Sequence, residues 1–236
     1  MSLTNYIVLF ASVFIGAFIA LYFKNISNKT TKLLISFSGA YLFSITVLHL
    51  MPETFTNENN HIIGLFVLIG FFIQIILEHF SQGVEHGHTH IHGSIPMSIM
   101  IGLCIHSFIE GMPLGTPHHN HIHDHTHDSL LSAIAFHKIP VSIVLTHMLM
   151  QSQMSKTKVY LFILFFAFTT PLGSFVSQYI SNISFYHREI MAVVIGIFLH
   201  ISTTILFESS EGHHFNSQKV LAIILGTSFA LLSTFL

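Results

Sequence analysis

Eight predominantly apolar runs, each close to twenty residues long, occupy 6–23, 33–52, 62–80, 95–115, 130–149, 159–180, 190–207 and 220–236. An α-helix needs about 20 residues to cross the hydrocarbon core of a bilayer. Each run therefore predicts one membrane-spanning helix, and the segments between them are short. No positive cluster precedes the first run and no clear small-residue cleavage site follows it, so it reads as an uncleaved first span. The expected fold class is an all-α integral membrane protein with eight transmembrane helices, forming one membrane domain over 1–236. Two compositionally biased loops, 81–94 and 117–128, interrupt it. Gly39-Ala40-Tyr41-Leu42 in the second run resembles Gly196-Ile197-Phe198-Leu199 in the seventh. That faint repeat fits a 3+2+3 arrangement with inverted repeats, a plan typical of transporters.

Composition agrees. Only 8% of the residues are charged and 51% are hydrophobic, with a mean hydropathy of +0.69. A soluble domain carries about 25% charged residues, so this chain cannot cover a water-facing surface and the lipid bilayer is its expected solvent. Lone Cys104 excludes an internal disulfide and any multi-cysteine zinc site; within an apolar run it reads as a packing residue. A net charge of −2 and a pI near 6.8 argue against a nucleic-acid partner. A homodimer is left open.

Basic residues set an orientation. Lys24, Lys29, Lys32, Lys156, Lys158 and Lys219 fall in the odd-numbered loops, whereas the even-numbered loops hold only Arg188. Positive residues concentrate on the cytoplasmic side. The expectation is a cell or inner membrane location with both termini outside.

The 20 histidines outnumber lysine and arginine together. Neutral imidazole binds borderline metals and titrates near neutral pH. His86, His88, His90 and His92 alternate in the third loop; His118, His119, His121, His123, His125 and His127 crowd the fourth beside Asp124 and Asp128. Such segments can capture metal from many registers, the bland alternative being a solvated spacer.

Ionisable groups inside a span cost about 2.5–3.5 kcal/mol each on insertion scales and need a reason. In the fourth run, His106 and Glu110 stand at i and i+4, one turn apart on one helix face. His137 lies in the fifth run beside Lys138. Together His106, Glu110 and His137, with water or another polar group, would complete a tetrahedral zinc shell; the alternative is a buried His–Glu hydrogen bond. Lys138 can pair with Glu110 or occupy the place of a second cation, unless it snorkels to the interface. Pathway candidates are His49 and Glu53 ending the second run, His147 and Gln151 in the fifth, and His200 and Glu208 in the seventh; Glu78 and His79 are similar.

These motifs carry a resemblance. His106-Ser107-Phe108-Ile109-Glu110-Gly111, His49-Leu50-Met51-Pro52-Glu53 and Pro171-Leu172-Gly173, with the order of spans and a His-rich third loop, resemble the ZIP (Zrt/Irt-like protein) metal transporters, in the subgroup with His-Ser-Phe-x-Glu-Gly and His-Lys motifs. The resemblance implies metal uptake toward the cytosol and makes His106, Glu110 and His137 the primary ligands. Ser107, Lys138 and Thr170 fall where two-metal members have ligating side chains, and Ser142 replaces a glutamate of those members. A single-metal site is thereby expected, with Ser142 or water as fourth ligand.

The function expected is transport of zinc into the cytoplasm, with Fe2+, Mn2+, Co2+ and Cd2+ as other cargoes and no cofactor. Imidazole nitrogen favours zinc over magnesium or calcium, and protonation of the histidines opposes binding at acidic pH. The rivals are a membrane-embedded metallohydrolase, which needs an open water position and a separate general base, and a His-rich metal sensor binding through its loops.

Overall fold

A computed structural model describes residues 2–23, 27–56, 60–81, 83–86, 97–115, 125–152, 154–180, 183–207 and 217–235. Every regular element among them is helical. The long helices are α1 (Leu3–Tyr22), α2 (Asn28–Ile45), α3 (Asn60–Ser81), α4 (Met97–Gly115), α5 (His125–Gln151), α6 (Lys156–Tyr179), α7 (His187–Phe207) and α8 (Ser217–Phe235). Seven are long and apolar enough to cross a membrane, α2 being counted through to Thr54, while α8 carries the shorter apolar stretch Ser217–Ser233. The eight-helix membrane fold read from the apolar runs is the one observed.

Polar ends extend some helices beyond their apolar runs. The Ser27 hydroxyl accepts the Thr30 N–H at 3.1 Å, an N-cap that starts α2 at Asn28 and admits Lys29 and Lys32 to its first turns. Helix α5 starts at His125 rather than Leu130, with Asp128 in its first turn where an acidic group suits the helix dipole. After Ile45 the α2 ladder loosens into a π-helical turn, Thr46–Leu50, before Met51–Thr54 completes it. The Arg188 guanidinium of α7 then donates to the Thr54 carbonyl at 3.2 and 3.3 Å, satisfying an orphan acceptor at a helix end.

The principal contacts pair α1 with α5, α4 with α6, α2 with α8 and α3 with α7; α2 also packs on α7. The four largest of these pairings map onto one another when α1 exchanges with α6, α2 with α7, α3 with α8 and α4 with α5, whereas the further contacts of α2 with α5 and of α3 with α4 have no equal counterpart. Small residues set the closest approaches. Gly111 of α4 lies against the Thr170 carbonyl of α6, and Gly173 of α6 against the Phe108 carbonyl of α4. A Cβ at either would strike backbone, so the two helices can be this close only without one. Of the seven membrane-length helices, α5 is the most enclosed and α3 the least. On α3, Leu65, Leu68, Phe72 and Ile76 face outward, while a narrow stripe of Ile63, Gly70, Gln74, Leu77 and Ser81 is buried.

Beyond Ser81, Gly83 adopts φ 71°, a left-handed conformation that costs a side-chain-bearing residue about 1–2 kcal/mol. A 3-10 turn, Val84–His86, follows and touches α3, α5 and α7. Val84 and Glu85 are both buried. The chain thus folds back into the helix bundle after leaving α3.

Candidate metal site

The i, i+4 spacing on α4 places His106 and Glu110 together as expected: Nε2 of His106 lies 2.8 Å from Oε1 of Glu110. His137 enters from α5, its ring centroid 6.2 Å from that of His106. One ligand atom from each of the three lies within 4.8 Å of the others, and all three side chains are buried. Tetrahedral zinc bonds of 2.0–2.2 Å put neighbouring ligand atoms about 3.3 Å apart. Small side-chain adjustments would therefore close this group on one ion.

Lys138 points inward and does not snorkel. Its ammonium donates to the Ser107 hydroxyl at 2.8 Å, lies 3.4 Å from Oε2 of Glu110 and sits 4.8 Å from the centroid of the Phe166 ring. Glu110 therefore stands between an imidazole and an ammonium. Its charge is balanced within the bundle, as a buried carboxylate requires.

Two residues here were not read from the sequence. The Gln74 amide donates from Nε2 to the Glu85 carboxylate, and its Oε1 lies 3.1 Å from Nδ1 of His106. An amide oxygen only accepts, so His106 Nδ1 must be the donor. That leaves Nε2 facing Glu110 and His137. Locking one ring nitrogen so that the other presents to the ion is the usual arrangement around a metal-binding histidine. Glu85 completes the cluster, Oε1 standing 4.0 Å from His106 Nε2. A single amide on the buried stripe of α3 could have flagged Gln74; no local signal marked Glu85.

Other predicted positions make these contacts. The Ser142 hydroxyl donates to the Val13 carbonyl of α1 at 2.6 Å. Thr170 is buried, with its carbonyl against Gly111. His147 and Gln151 bond to each other at 2.7 Å. His200 pairs with Glu78, Nδ1 to Oε2 at 3.5 Å, and its ring lies 4.9 Å from that of Phe71. His49, in the π-helical turn, is half-buried; Glu53 is exposed, and Cys104 is half-buried. Glu208 and the loop histidines 88, 90, 92, 118, 119, 121 and 123 lie outside the described residues, as do the side chains of His86, His125 and His127.

Buried imidazole and carboxylate ligands inside a membrane-length helical bundle can hold a divalent transition metal. Comparison with curated proteins finds no match. The sequence model for the family described as ZIP Zinc transporter matches residues 85–234, more than half of the chain and including every member of the buried cluster except Gln74. On that match the chain belongs to the ZIP zinc transporter family.

Proposed function

We propose that the protein carries one divalent cation at a time, zinc foremost, through an intramembrane site formed by His106, Glu110 and His137, and delivers it to the cytoplasm. The observation that carries this reading is the convergence of three buried ligand atoms from two adjacent helices. Lys138 supports a single ion, because its fixed ammonium beside Glu110 repels a second cation. The lysine-rich odd-numbered loops support the inward direction and outer termini. Zinc is preferred because imidazole suits it; iron, manganese, cobalt and cadmium share enough of that chemistry to compete. Rigid movement of one helix group against the other would expose the site to each side in turn. The alternating histidines of the two loops would raise local metal concentration at either mouth.

A membrane-embedded metallohydrolase demands a spare base, and Glu85 beside His106 meets that demand geometrically. Membership in a transporter family favours flux. Zinc uptake into proteoliposomes, in the absence of any hydrolysable substrate, tests the reading. Uptake by the wild type and its loss in His106→Ala and Glu110→Ala are expected. Equal uptake in all three would refute the site.

A further inference from the structure

We propose that Glu85 is the inner-side ligand of the transport path, taking the cation from the His106–Glu110–His137 group through His106, the residue both share. This rests on the transport reading above and adds a station to it. Glu85 is 1% exposed and reaches the bundle only because the chain reverses at Gly83. An ionisable side chain held in a hydrophobic interior calls for a functional reason. Gln74 holds the carboxylate with one end of its amide and His106 with the other, so the two prospective ligands stay close to one another.

The distances suit a transfer. At 4.0 Å, Glu85 Oε1 and His106 Nε2 are too far apart for a hydrogen bond. A small closing movement would bring them to the separation of two ligands on one zinc ion, about 3.3 Å. Glu110 approaches the same nitrogen at 2.8 Å. The His106 nitrogen therefore has a carboxylate at two stations, and an ion can change carboxylates without leaving it. Glu85 also follows the end of α3, on the loop side that the lysine bias assigns to the cytoplasm. A ligand placed there releases the ion inward.

The experiment compares Glu85→Gln, Glu85→Ala and Glu85→Cys with the wild type, measuring equilibrium Zn2+ binding in detergent and Zn2+ and Cd2+ flux in proteoliposomes. Zn2+ affinity should stay within about threefold of wild type in Glu85→Gln, because the three-residue group is intact, while flux at saturating Zn2+ falls by about tenfold or more. Glu85→Cys should carry Cd2+ about tenfold faster than Glu85→Ala, because a thiolate replaces the lost ligand for a soft ion. Wild-type flux in Glu85→Gln overturns the proposal, as does a parallel loss of binding, which would place Glu85 in the primary site. If Glu85→Gln does not elute as a monodisperse species, the Cys and Ala variants decide. A Cys variant no faster than Ala with Cd2+, or failure of every variant to fold, reduces Glu85 to a structural role and overturns the proposal. Persistent flux in His106→Ala would instead sink the underlying transport site, whatever the Glu85 variants do.

Discussion

The Lys138 ammonium of α5 lies 3.4 Å from the Glu110 carboxylate of α4, with both side chains wholly inside the helix bundle. This ion pair ties together the two helices that supply the proposed ligands. It also puts the Lys138 ammonium beside the metal group, and the Ser107 hydroxyl accepts from it at 2.8 Å. Coulomb repulsion in a low-dielectric interior then opposes a second divalent ion at this spot.

Replacing the charge should change the stoichiometry. Wild-type protein with its loop histidines replaced by serine is expected to bind one Zn2+ per chain in equilibrium dialysis. Lys138→Asp, which substitutes an oxygen ligand for the ammonium, should bind two. A count that stays at one in Lys138→Asp would show that the lysine does not limit occupancy.

Ser142 makes a sharper distinction between sequence and structure. Its hydroxyl is committed to the Val13 carbonyl, so Ser142→Ala should leave Zn2+ affinity within about twofold and cost about 0.5–1.5 kcal/mol of stability. Binding isotherms and thermal unfolding in detergent measure the two effects. A tenfold or greater loss of affinity would return Ser142 to the ion.

The α4–α6 contact positions His106 and Glu110 through their shared backbone. A side chain at Gly173 would strike the Phe108 carbonyl, two residues from each ligand. Gly173→Val should destabilise the fold by about 1–3 kcal/mol through overpacking and reduce zinc uptake with it. An unchanged melting temperature would mean that the two helices can separate freely.

Much of this was legible in the sequence because it rests on short-range regularities. Apolar runs of membrane length gave the spans, and the i, i+4 spacing gave the His106–Glu110 face. The pairing of Lys138 with Glu110 was one of the alternatives open to a lysine inside a span. Ser142 was named from its chemistry and the resemblance, and its bond to the Val13 carbonyl, 129 residues away, left no local signal. At five residues from His137, about 100° each, it stands about 140° around the helix. Glu85 and Gln74 were not legible. Glu85 reaches His106 after left-handed Gly83 returns the chain to the bundle, and Gln74 meets the same ring across 32 residues of sequence. The π-helical turn that carries His49 likewise left no periodic signal in the apolar run.

The most direct test is zinc affinity in a chain whose loop histidines are replaced by serine, compared with the same chain carrying His106→Ala, Glu110→Ala or His137→Ala. Three side chains acting on one ion predict a single tight site whose affinity falls about a hundredfold or more in each variant. Undiminished binding in any one of the three would contradict the account.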